Sequence, residues 1–216
     1  MSWYTKYRKY NKLAKELIYN KSELEYRLAT VKEVHQDFEE YQLQYCLDRD
    51  IDLPKLKEQF QEEIKKHVFE ASTVGNLNKE ALAKTKQKTK EERRQSKNFS
   101  WVYKEVAKKT HPDKLSKRIR TEEVIEKEEM FKKASAAFKA HDWASLLEVS
   151  EALKVRPTIG HVLAVCVDIE KSIVALKAKI AQEETRFGWL FANCETKACK
   201  DDLVKKILFQ FFQIST

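Results

Sequence analysis

The chain has 216 residues, of which 35% are charged and only 3 are Gly and 3 Pro, with a net charge of +8 and a pI near 9.1. So few turn-forming residues exclude a sheet-rich fold and predict an all-α protein with short connections. No apolar run reaches the roughly 18 residues that a membrane span needs, and no secretory leader is evident, so a cytoplasmic protein without a membrane partner is expected.

Residues 1–76 read as an N-terminal, coiled-coil-like helical hairpin. Trp3, Tyr4, Tyr7, Tyr10, Leu13, Leu17 and Ile18 recur at helical spacing, interleaved with Lys6, Arg8, Lys9, Lys12 and Lys15. Basic residues between aromatics suit a nucleic-acid or membrane surface, but they equally describe a helix whose rings pack inward while its lysines are solvated. From Ser22, the positions Leu24, Leu28, Val31, His35, Phe38, Gln42 and Tyr45 step by four and three, the seam of a coiled coil in which His35 sets register. Asp48 to Pro54 forms the first turn, with Asp50 and Asp52 offering caps. A second helix through Leu56, Phe60 and Ile64 should end near Gly75-Asn76.

Residues 77–97 carry six Lys and two Arg against three Glu, with little apolar material after Leu82, so a basic linker, flexible or a frayed helix, is expected. A nucleic-acid-binding role for 79–97 is a weaker reading of the same run.

The most informative stretch is Phe99 to Lys114. At 100° per residue, Phe99, Val102, Tyr103, Val106, Ala107 and Thr110 share one side, while Lys97, Lys104 and Lys108 lie opposite. Pro112 has no N–H to donate and pushes His111 out of helical geometry, so the helix should stop at Lys109 or Thr110. Asp113 then either ties down the turn through backbone N–H groups or points outward beside Lys114. Beyond a basic loop, Thr121 is a candidate N-cap followed by Glu122 and Glu123. A helix through Val124, Phe131, Ala134 and Phe138 follows, with a break at His141-Asp142 before Trp143, Leu146, Leu147 and Leu153.

Tyr103-Lys104-x-Val106-Ala107-x-Lys109-x-His111-Pro112-Asp113-Lys114 resembles helix II and the signature loop of a J domain, by which DnaJ-type co-chaperones engage DnaK-type (heat-shock seventy) ATPases. Phe131-Lys132 and Ala137-Phe138 fall where that family has its helix III pairs. The resemblance covers residues 98–140 and makes 98–156 a J-domain-like hairpin of helix II and an extended helix III. It implies a chaperone-binding site of Tyr103, Lys104, Lys108, His111, Pro112, Asp113 and Lys114, with Lys109 secondary. The lysine face would dock on an acidic patch of the ATPase, and Asp113 would pair with a partner arginine. Three features depart from the family: no helix I pattern precedes residue 98, Glu105 replaces a usual cation, and Thr110 replaces a usual aromatic.

Residues 157–216 are the C-terminal helices: a seam through Val162, Val165, Ile169, Leu176 and Ile180, then a helix with Leu203, Val204, Ile207, Leu208, Phe211 and Phe212. The long N- and C-terminal helices would choose a client or scaffold partner. Cys46, Cys166, Cys194 and Cys199 lack disulfide-framework spacing, so free thiols are expected. Cys194-x4-Cys199 with His161 is too loose for a zinc site, so neither a metal nor a cofactor is expected. No nucleophile with a base and an orienting group, and no Gly-rich phosphate loop, points to an enzyme. The alternative to a co-chaperone is a helical scaffold or nucleic-acid-associated protein that keeps a J-like hairpin without the activity.

Overall fold

Long stretches free of Gly and Pro leave little to stop a helix. The computed structural model describes residues 2–72, 78–115 and 121–214; among them are ten helices and no strand. In chain order they are α1 (Trp3–Glu33), α2 (His35–Leu47), α3 (Leu53–Ser72), α4 (Asn78–Thr110), α5 (Pro112–Leu115), α6 (Glu122–Lys139), α7 (Trp143–Ala152), α8 (Ile159–Glu184), α9 (Phe187–Ala192) and α10 (Lys197–Phe212). The protein is all-α.

Several boundaries differ from the sequence expectation. The seam from Leu24 to Tyr45 is interrupted at Val34, and neither Leu28 nor His35 is buried; His35 lies 3.9 Å from Glu39 on the exposed side of α2. Residues 78–97, expected as a flexible or frayed-helix linker, have helical backbone continuous with the segment leading to Thr110. Lys, Glu, Gln, Arg and Ala are good helix formers, and nothing between Asn78 and Thr110 breaks the run. Thr121 is extended before α6, but its side chain accepts no capping hydrogen bond. The expected end of α3 at Gly75-Asn76 and the loop 116–120 lie outside the described residues.

Two compact units divide the chain: Met1–Glu23 with Ala83–Ala178, and Leu24–Leu82 with Lys179–Thr216. The hairpin expected over 1–76 is thus shared between them, because the first turns of α1 pack with the middle of the chain.

In the first unit, Tyr10, Ala14 and Leu17 of α1 join Phe99, Val102 and Val106 of α4, Ala134 and Ala137 of α6, Leu146 and Leu147 of α7, and Val162, Val165 and Ile169 of α8 in one core. The core face of α4 around Phe99, Val102 and Val106 is thus covered by α1 and α8 as well as by α6 and α7. Phe99 stacks on Trp143 with ring centroids 4.5 Å apart and planes 3° from parallel. Trp101 is buried against the His161 ring at 5.2 Å. The bend at His141, with φ at 57°, separates α6 from α7, and the Asp142 carboxylate caps α7 by accepting the Ser145 N–H.

Lys21 reaches back to that cap, its Nζ 2.5 Å from Asp142 Oδ2. Partial burial raises the Asp142 pKa, but the bonds from Lys21 and Ser145 outweigh it and hold the carboxyl below its usual value. Because the folded-state pKa is depressed, the stabilisation is complete above the unfolded value of about 4 and fades as pH falls through the folded one. Asp142→Asn should therefore lower the urea midpoint at pH 7 by the equivalent of about 1 kcal/mol, since the pair is partly solvent-screened. Below about pH 3 the difference from wild type should vanish.

In the second unit, Tyr45, Cys46, Leu53, Val204 and Leu208 form one cluster, and Phe191, Leu203 and Ile207 another. Asp52 caps α3 by accepting the Lys55 N–H at 3.1 Å, and Thr196 caps α10 through the Cys199 N–H. Cys194 and Cys199 form a disulfide with Cα atoms 5.5 Å apart, which corrects the expectation of free thiols. The turn from α9 into the first turn of α10 brings the two Cα atoms within bridging distance despite the short spacing. Cys46 and Cys166 are free, and burial pushes both thiols up, away from reactivity.

Gly188 lets α9 approach α1: a Cβ there would lie 2.9 Å from Val31 Cγ1, a stiff β-branched side chain. An exposed helical Gly→Ala change stabilises through propensity. Gly188→Ala should instead destabilise, by about 1 kcal/mol net in urea denaturation, because overpacking outweighs that gain.

Candidate functional site

The α4 helix ends where Pro112 requires it to end. His111 donates its N–H to Ala107 C=O at 2.9 Å, Lys114 N–H returns to His111 C=O at 3.0 Å, and the chain re-enters helix as α5. His111 is thus the single non-helical residue between two helical segments. Its Nδ1 accepts the Asp113 N–H at 3.3 Å. The ring meets Phe131 of α6 edge-to-face at 5.1 Å. Below it, Thr110 is fully buried and donates its hydroxyl to Val106 C=O at 2.8 Å, while Leu115 is buried on the far side. Thr110 thus satisfies its own polar group, and the ring packing at the corner comes from His111 on Phe131.

Asp113 points outward. Its side chain is 88% exposed, with Oδ2 3.6 Å from His111 Nδ1. The turn itself is tightened by the His111 ring, which accepts the Asp113 backbone N–H. Lys114 extends its Nζ to Lys108 C=O at 3.2 Å and so caps the last carbonyls of α4.

The other expected site residues separate by role. Tyr103 is half-buried, stacked on Phe138 at 4.9 Å with its hydroxyl 3.2 Å from Ser135 Oγ, so it joins α4 to α6. Read with His111 on Phe131 and Phe99 on Trp143, the register shows α4 and the α6–α7 run lying antiparallel. Lys108 is exposed but 2.5 Å from Glu105, which makes the departure at Glu105 a local neutraliser. Lys109 donates to Leu153 C=O at 2.7 Å and anchors the end of α7. Of Lys104, Lys108, Lys109 and Lys114, only Lys104 is exposed without an ion pair or side-chain hydrogen bond among the described residues.

Two supporting features were not foreseen. Phe131, expected in the apolar stripe of its helix and in the Phe131-Lys132 pair, also carries the His111 ring. Asp168 of α8, fully buried, accepts from Arg94 and, at 2.6 Å, from Asn98 Nδ2, both on α4. No local pattern could have found that pair, since the partners lie 70 or more positions apart.

Among the described residues no group of three His, Cys, Asp or Glu side chains is placed to hold a metal, and the disulfide occupies both sulfurs of the one loose candidate. Nor is any helix among them long and apolar enough to cross a membrane. What the corner can do chemically is present one anion at a fixed place, one residue beyond a rigid helix end. No family model, curated protein or solved structure matches this chain.

Proposed function

We propose that this protein is a J-domain-like co-chaperone that docks on a DnaK-type ATPase in the cytoplasm and stimulates its ATP hydrolysis. The observation that carries this reading is the exposed Asp113 carboxylate on a corner whose backbone is fixed by Pro112, by the His111 ring and by buried residues on either side.

A charge pair made by such a group is directional, and it costs little ordering on this side because the corner is already set. Lys104 and Lys108, one turn apart on α4, supply approach and orientation to an acidic partner surface. Lys114 and Lys109 act mainly inward, through the carbonyls they hold. Tyr103 keeps α4 on α6, so it positions the site rather than touching the partner.

A second reading is favoured by the Glu105–Lys108 pair. If it leaves too little positive field on α4, the protein is a helical scaffold with a J-like corner and no chaperone activity.

Single-turnover ATP hydrolysis by a cognate DnaK-type chaperone, with and without the chain, separates the two. Stimulation at micromolar concentrations supports the first, and none at concentrations far above that supports the scaffold.

A further inference from the structure

The first 15 residues contain five cations and no acid, and their aromatic side chains are not all spent on the core. Tyr10 is buried, but Tyr7 is half-exposed, Trp3 is 37% exposed and Tyr4 is 60% exposed. The rings form a row: Trp3 to Tyr7 at 5.9 Å, Tyr7 to Tyr10 stacked at 6.4 Å, with the Arg8 guanidinium 4.4 Å above Tyr4. This row leads into a cleft of about 260 Å³ between α1 and the α7–α8 connection, lined by Tyr7, Tyr10, Asn11, Lys15, Lys154 and Arg156 among others. Lys154 sits at the left-handed residue that closes α7, with φ at 52° and the following Val155 N–H bonded to Ser150 C=O.

The charges facing the cleft are unequal. Glu151 is its one lining acid and stands 3.9 Å from Lys15; Lys9, further along α1, is paired with Glu170 at 2.8 Å. Lys154 and Arg156 have no carboxylate within ion-pair distance among the described residues.

We propose that this cleft and the aromatic row leading into it bind single-stranded nucleic acid, one base stacking on Tyr7 and the flanking phosphates meeting Lys15, Lys154 and Arg156. Stacking on exposed rings beside a cationic track is how sequence-tolerant single-strand binding is built, since every base offers a π face. A duplex hides those faces. An anionic membrane is less well matched, because interfacial binding needs a broad apolar face free to insert, and most of this one is spent on the core. Here Leu17 is buried, and Leu13 and Ile18 pack against the core.

The test is fluorescence anisotropy of labelled 15-nucleotide oligo-dT and oligo-U with the full chain. Three phosphate contacts predict a log–log salt slope of about −2, hence roughly 20-fold weaker binding on going from about 50 to 200 mM salt. Lys154→Glu with Arg156→Glu should flatten that slope by about 1 or more and weaken binding at low salt at least tenfold. Tyr7→Leu, which keeps the packing but removes the π face, should weaken binding by about tenfold while leaving the slope unchanged. Helicity by circular dichroism verifies that each variant is folded. Comparison of oligo-U with oligo-dT tells whether RNA or DNA is preferred; either result supports the site. The proposal is overturned by no binding at about 100 μM chain in low salt, by equal affinity for a 15-base-pair duplex, or by a slope that the charge reversals do not change. Binding to phosphatidylserine vesicles without oligonucleotide binding would assign the surface to a membrane instead.

Discussion

On the proposed function, Asp113→Asn is expected to weaken stimulation of a DnaK-type ATPase strongly, by raising the half-saturating concentration, while leaving the chain as stable as before. The two expectations come from the same geometry. The carboxylate is 88% exposed and lies 3.6 Å from His111 Nδ1, which already accepts the Asp113 N–H. Removing its charge therefore disturbs little inside the protein, within about 0.5 kcal/mol for a surface substitution. Across an interface the balance reverses. A hydrogen-bonded charge pair stripped of one partner costs about 2 kcal/mol or more, roughly 30-fold in half-saturating concentration, because the arginine opposite is left desolvated and alone. His111→Gln tests the support beneath it: the variant loses the edge-to-face contact with Phe131 and should lose stimulation with helicity unchanged. Lys104→Glu should act differently, weakening stimulation most at low salt and least at high salt, as a steering charge does. Full stimulation by Asp113→Asn would remove the reason for assigning the corner to a chaperone. A large drop in its urea midpoint would show the carboxylate serving the fold instead.

What was legible in the sequence follows from what is local. Pro112 alone places the end of α4, the scarcity of Gly and Pro announces the helical class, and the break at His141-Asp142 appears as a lapse in apolar spacing before Trp143. What was illegible depends on partners far along the chain. The seam from Leu24 to Tyr45 looked continuous because spacing cannot reveal that Leu28 has nothing to cover it, or that Val34 interrupts the helix. The run 78–97 reads as a flexible or frayed-helix linker because it has little to bury, yet its helix-favouring residues carry α4 through it all the same. The cysteines illustrate the same limit, since only the path from α9 into α10 shows that Cys194 and Cys199 meet. At the site, the sequence gives the order of residues on α4 but not their bonds. Helical spacing puts Tyr103 on the core side, where Phe138 holds it, but it cannot show that the Leu153 carbonyl draws Lys109 inward.

Asp168 is the most consequential of these distant partners, and the second large effect concerns it. Its side chain is fully buried in α8 and takes hydrogen bonds from Arg94 and Asn98, one turn apart on α4. Arg94 is 42% exposed, so the two ends of the pair are not equivalent. Arg94→Met leaves a carboxylate in the core with only an amide to answer it, and should lower stability by about 3–5 kcal/mol. Asp168→Asn leaves Arg94 able to turn toward water and should cost less, about 1–3 kcal/mol. Replacing both, Arg94→Met with Asp168→Leu, removes the buried charge and should recover most of the loss, because well-packed apolar residues of similar volume serve as well as a buried ion pair. Urea midpoints of the three variants at one pH measure this directly. If the double variant is no more stable than Arg94→Met, the cost lies in packing between α4 and α8 rather than in a stranded charge. Arg94 lies on α4 several turns before His111, so loss of its pair with Asp168 should lower chaperone stimulation only in proportion to the unfolded fraction, without changing the half-saturating concentration. Asp113→Asn should change that concentration and leave the midpoint alone, and the contrast separates the residues that hold the helix from the residue that it presents.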